Sequence, residues 1–163
     1  MKKNKINLLI VDDEERFLES ISKSLELRDF NVIAVNRGDK AIEAAKQQPI
    51  DVALVDLKMP GISGEETLRQ LKELNQWLEV VILTGHGAVQ SAVDCTKLGA
   101  FSYLQKPCEL SELIEALQAA YKQKVMNHRQ LEQKKIEKML RISGSASPRD
   151  IIRRLLEIDE GSS

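Results

Sequence analysis

Aromatic residues are scarce, at 4% of the 163 residues: one Trp, two Tyr and three Phe. That leaves too few rings to build a platform on which bases stack, so single-stranded nucleic acid is an unsuitable ligand. Cysteine is almost missing. Cys95 and Cys108 form no C-x-x-C pair and have no metal spacing, which excludes a disulfide framework and a zinc site and reads as two free thiols in a reducing compartment. No apolar run approaches the ~18 residues a membrane span requires. Met1-Lys2-Lys3-Asn4-Lys5 opens like a signal peptide, but Asp12-Asp13 interrupts the apolar segment that follows. A cytoplasmic protein is expected. There is no G-x-G-x-x-G after the first apolar run, where a dinucleotide-binding fold would carry it. Nor is there a strong charge of one sign. The net charge is −1, split between residues 1–120 with 14 basic and 19 acidic groups and residues 121–163 with 10 basic and 6 acidic. The basic tail reads as a solvated helix face, and no direct nucleic-acid binding is expected.

What is present is organised around Asp56. Val52 to Val55 is a valine-rich apolar run, read as a strand buried on both faces and ending at Asp56. Pro60-Gly61 then marks a turn, and Ser63 with Glu66 three residues on is a capping box that opens a helix over about 64–74. Four more strands are read at 6–11, 31–35, 80–83 and 101–104. Helices are expected at 15–27, at about 39–48 before Pro49, at about 88–98 before Gly99, and from about Glu109 onward. Five strands alternating with five helices call for an α/β fold with a parallel sheet covered on both faces. At this length the flavodoxin-like doubly wound order 2-1-3-4-5 is expected, with an extended helical tail at the C-terminus.

That order places chemistry on one edge. Strand one ends in Asp12-Asp13, strand three in Asp56, strand four in Thr84 and strand five in Lys106. All carboxyl ends of a parallel sheet lie on the same side, so three carboxylates converge with a hydroxyl and an ammonium. Carboxylates this close cannot all stay ionised without a cation. Oxygen ligands of this kind suit Mg²⁺. A metal, a carboxylate nucleophile and two groups able to hold phosphoryl oxygens describe phosphoryl transfer to an aspartate.

With those residues in hand the sequence resembles the receiver domain of bacterial response regulators from residue 5 to about 121. The resemblance rests on Asp12-Asp13, on Asp56 in DLKMPGISG, on Thr84 in ILTGHG and on Lys106-Pro107 after Phe-Ser-Tyr-Leu-Gln. It implies a phosphoacceptor rather than an enzyme, in which a partner histidine kinase donates a phosphoryl group to Asp56. It implies Mg²⁺ held directly by Asp13 and Asp56, by Asp12 through water, and by the main-chain carbonyl of Lys58. It implies Thr84 and Tyr103 as switch residues that alter the face of the fourth helix, fifth strand and fifth helix, and a cis Lys106-Pro107 bond. Two other readings are weighed. One is a single-domain phosphorelay shuttle. The other, a haloacid-dehalogenase-like phosphatase, wants a second Asp two residues after the nucleophile, where this chain has Lys58.

The expected division is a receiver over 1–121, a helical extension over 122–142, a linker over 143–148 and a short amphipathic helix and tail over 149–163. His86 and His128 have no phosphotransfer context. Within 163 residues there is no room for an ATPase or helix-turn-helix domain after the receiver. The extension could form a homodimer, dock a downstream protein target, or fold back on its own receiver.

Overall fold

The computed structural model describes residues 4–85, 89–142, 149–150, 152–153 and 156–157. Among them five strands alternate with five helices: β1 Ile6–Val11, α1 Glu15–Glu26, β2 Phe30–Val35, α2 Gly38–Gln47, β3 Val52–Val55, α3 Gly64–Leu74, β4 Glu79–Thr84, α4 Val89–Lys97, β5 Ser102–Gln105 and α5 Leu110–Ile142. The strands form one parallel sheet in the order β2-β1-β3-β4-β5. This is the flavodoxin-like arrangement expected from the alternation.

The period-two geometry of a strand explains how one sheet feeds two cores. Leu9 and Val11 of β1, Ala53 and Val55 of β3, and Val80 and Ile82 of β4 pack on one face with Ala41, Ile42, Leu68, Leu71 and Cys95 of α2, α3 and α4. Their neighbours Leu8, Ile10, Val52, Leu54, Val81 and Leu83 pack on the other face with Leu18 and Leu25 of α1 and Leu113, Leu117 and Ala120 of α5. Both faces are covered, so β3 and β4 are buried throughout. That is why they read as continuous apolar runs rather than alternating ones. Each buried Leu, Ile or Val contributes about 1.5–3 kcal/mol relative to exposure.

Local signals set the element ends. Ser63 accepts a hydrogen bond from the Glu66 N–H at 3.1 Å and so caps α3. The capping box closes only on that side, because the Glu66 carboxylate turns to Arg69 and to Gln70 at 2.8 Å. Gly99 ends α4 at φ +105°, the left-handed conformation expected of a glycine after a helix. The fifth strand begins one residue later than expected, because Phe101 donates its N–H to Val80 O while its side chain packs on the α1/α5 core. The Lys106-Pro107 bond is cis, as expected.

The chain divides into two compact units, Met1–Val125 and Met126–Ser163, and α5 runs through the division. In the second unit residues 149–150, 152–153 and 156–157 are helical. The expected linker over 143–148 lies outside the described residues. No described helix is long and apolar enough to cross a membrane. Both cysteines are free, and burial pushes the Cys95 thiol up to about 11, which leaves it a protonated core residue at neutral pH.

Candidate functional site: a carboxylate pocket at the sheet edge

The carboxyl ends of β1 and β3 are neighbours, with Val11 paired to Val55. The next residue of each strand therefore brings Asp12 beside Asp56, and the Asp56 N–H donates to Val11 O at 2.9 Å. Asp12, Asp13 and Asp56 each offer a carboxylate oxygen within 4.8 Å of the others. Asp12 and Asp56 are buried and Asp13 is exposed. The pocket thus has a closed side and an open one.

Lys106 enters from the turn after β5. Its Nζ stands 2.6 Å from Asp12 Oδ2, 3.7 Å from Glu14 Oε1 and 4.0 Å from Asp56 Oδ2. The same ammonium lies over the Phe17 ring, 4.5 Å from its centroid. Burial works to lower the pKa of Lys106, but the hydrogen bond and charge of Asp12, with Asp56 and Glu14 behind it, outweigh that and hold the ammonium above its ordinary value. Asp12 is fully engaged: Oδ1 accepts from the Glu14 N–H at 2.9 Å and Oδ2 from Lys106. Asp56 is less well served. It accepts from the Lys58 N–H at 3.3 Å and has Lys106 only at salt-bridge range. Burial, then the Asp12 charge, push the Asp56 carboxyl up to about 6, and Lys106 and the Lys58 N–H only partly offset them.

Thr84 closes β4 opposite Gln105, its side chain buried and its Oγ1 without a hydrogen-bond partner. A buried hydroxyl with nothing to bond costs about 1–3 kcal/mol and is an opening for a ligand oxygen. Tyr103 pairs with Ile82 on β5 but points outward, 44% exposed, away from the carboxylates. His86 lies outside the described residues. The structure therefore joins Asp12, Asp13, Asp56 and Lys106, sets Thr84 on the same sheet edge, and leaves Tyr103 at the surface.

Three participants escaped the sequence reading. Glu14 and Phe17 hold Lys106, yet Phe17 was indistinguishable from the other apolar residues of the α1 core face, and Glu14 was one acid in a run of four. Gly64 is the third. A Cβ there would lie 2.3 Å from Asp56 O and 2.5 Å from Leu57 Cα. The first turn of α3 is thus seated directly on the backbone that carries Asp56, and the Gly64 N–H donates to Leu57 O at 3.1 Å. The motif GISG showed the glycine but not what it touches.

The donor set fits a hard divalent cation. Three carboxylates converge with a single lysine, two of them buried, and the raised Asp56 shows that their charge is under-compensated.

Comparison with known proteins agrees with this geometry. Residues 8–118 match the family model described as the response regulator receiver domain. The transcriptional regulatory protein ZraR of Escherichia coli (strain K12) is 33% identical over 120 residues, covering 74% of this chain and 27% of ZraR. The photosynthetic apparatus regulatory protein RegA of Cereibacter sphaeroides is 35% identical over 113 residues, 69% of this chain and 61% of RegA. The chain therefore spans less than two thirds of either relative. Among solved structures, a response regulator receiver domain protein from Clostridium thermocellum superposes with a TM-score of 0.71 at 33% identity, over 74% of this chain and 98% of that one. The strand order, the carboxylate pocket at its switch point and the matched span lead to one conclusion: the chain belongs to the response regulator receiver domain family of two-component signalling.

Proposed function

We propose that Asp56 accepts a phosphoryl group from a phosphohistidine of a partner kinase, with Mg²⁺ in the pocket. An Oδ of Asp56 forms a bond to phosphorus as the P–N bond breaks, and the electron pair of that bond stays on the imidazole nitrogen. The observation that carries the reading is the contrast between the two buried carboxylates. Asp12 is saturated by Lys106 and the Glu14 N–H, whereas Asp56 has one long backbone bond and a raised pKa. The under-solvated carboxylate is the better nucleophile and the better metal ligand.

Asp13 and Asp56 would hold the metal directly with the Lys58 main-chain carbonyl, and Asp12, already engaged, through water. Bound there, the cation neutralises the carboxylates and the charge on the incoming phosphoryl oxygens. Lys106 would leave Asp12 for a phosphoryl oxygen, a short move for a flexible side chain already 4.0 Å from Asp56. The unpartnered Thr84 hydroxyl would donate to another. Tyr103, outward in this state, is the side chain with room to turn inward when Thr84 shifts. The state of the pocket would then pass through α4, β5 and α5 to a second copy or to another protein.

The test is labelling. With Mg²⁺ and acetyl phosphate the chain is expected to acquire one acid-labile acyl phosphate, lost in Asp56→Asn and in EDTA. Label that persists in Asp56→Asn overturns the assignment.

A further inference from the structure

The distal part of α5 presents a line of side chains that is the same read in either direction. Tyr121, Val125, Arg129, Glu132, Ile136 and Leu140 follow one another at intervals of four, four, three, four and four residues. At 3.6 residues per turn all six fall within an arc of about 100°. Ile136 and Leu140 are 36% and 40% exposed, Arg129 and Glu132 are exposed, and Tyr121 and Val125 are half-buried. Met139 lies within the arc and is 38% exposed. Met126 flanks it, and Leu131 lies off it.

Turned end for end against itself, this line is self-complementary. Val125 meets Ile136 of a second copy, Tyr121 meets Leu140, and Arg129 meets Glu132, and each pair occurs twice about a two-fold axis between residues 130 and 131. We propose that α5 is an antiparallel homodimerisation helix, in which two copies pair over Tyr121–Leu140 with two reciprocal Arg129–Glu132 ion pairs at the centre. An isologous interface requires that each residue's partner's partner be itself, and this spacing satisfies that condition.

Charge decides between orientations. Side by side in parallel, Arg129 faces Arg129 and Glu132 faces Glu132 in the middle of the seam, and like charges so placed are unfavourable. End for end, each cation meets an anion. Within one chain Glu132 has only the His128 ring at 3.5 Å recorded beside it, on the exposed surface. Lys134, Lys138 and Arg141 lie on the far side of the helix at this pitch, so the basic surplus of the segment points away from the seam. A parallel heptad coil would need apolar groups where Arg129 and Glu132 stand. The antiparallel pairing uses them.

Two measurements on the full chain test the pairing, both independent of chemistry at Asp56. In sedimentation equilibrium the wild-type chain is expected to dimerise. Arg129→Glu alone and Glu132→Arg alone should each weaken the dimer by about tenfold or more, because each puts two like-charge pairs at the centre. The double variant Arg129→Glu/Glu132→Arg should recover wild-type affinity. In a Cys108→Ser background, Val125→Cys mixed with Ile136→Cys should give a disulfide-linked pair under mild oxidation, and neither variant alone should. A wild-type chain that stays monomeric, with and without beryllofluoride, overturns the proposal and leaves the stripe to a different protein. Failure of the double variant to recover, or homotypic cross-links from Val125→Cys alone, overturns the antiparallel pairing. Asp56 labelling of Arg129→Glu serves as the control for an intact receiver.

Discussion

Asp56 and Asp12 are the same residue type at the same depth, and their surroundings part them. Asp12 has its full set of donors and Asp56 does not. In the metal-free protein the Asp56 carboxyl titrates near 6, against an ordinary 3.8. Between those two pH values the folded chain binds a proton that the unfolded chain has lost, so stability falls as pH rises through this window and the loss is complete above about 6. Asp56→Asn has no charge to bury. In EDTA at pH 7 it is expected to be more stable than wild type by an order of about 1–3 kcal/mol, an advantage that vanishes below about pH 4. Thermal unfolding of both proteins at pH 4 and pH 7 checks this, and equal melting at pH 7 refutes it. At this scale the sequence was legible wherever a residue ends a strand: Asp12, Asp13, Asp56, Thr84 and Lys106 could be placed from the apolar runs before them. Phe17 and Glu14 could not, because their role depends on where the Lys106 ammonium comes to rest.

Among the elements, α5 is the one whose anchoring no local pattern announced. Lys124 pairs with Asp51, and the other oxygen of Asp51 accepts the Asn7 N–H at 2.8 Å. Asp51 also links backbones, donating to Asn7 O at 2.9 Å and accepting from Glu79 N–H at 3.3 Å. It ties α5 to the starts of β1, β3 and β4, at the end of the sheet opposite Asp56. Both charged side chains are mostly covered, 23% and 16% exposed, so the pair counts for more than a surface bridge. Lys124→Met is expected to cost about 1 kcal/mol. Asp51→Ala should cost about 2–3 kcal/mol, since it also strands the Asn7 N–H. Urea unfolding gives both values, and amide exchange at Asn7 should quicken only in Asp51→Ala. Equal costs would mean the Asn7 bond contributes nothing. The two partners are 73 residues apart, and Asp51 read from the sequence as a turn residue before a strand. Where periodicity governs, the reading succeeded: β3 and α3 fall at the expected residues, because burial on both faces and a capped turn leave little choice. Where a strand end is set by hydrogen bonds to a neighbour, as at Phe101, it slipped by a residue.

For the molecule as a whole, the alternation of strand and helix carried the fold, since parallel strands need crossovers and crossovers need helices. The continuation of α5 past the receiver was visible as an unbroken helical composition, but its face was not, because Arg129 and Glu132 interrupt the apolar residues that define a stripe. The parallel sheet has a further consequence, for where the chain can be edited. Every connection from a strand to the helix after it opens on the edge that holds Asp56, and every connection from a helix back to a strand opens on the other. The first kind carries chemistry and the second only carries the chain. A short glycine-serine insert between Leu27 and Arg28, where Leu27 is 85% exposed, should leave acetyl phosphate labelling of Asp56 intact. The same insert between Gly61 and Ile62 should abolish it, because Gly64 can no longer seat α3 on the Asp56 backbone. Mass spectrometry of the two insertion variants reads the outcome directly. A tag, a reporter or a new terminus therefore has one safe edge on this protein and one forbidden one.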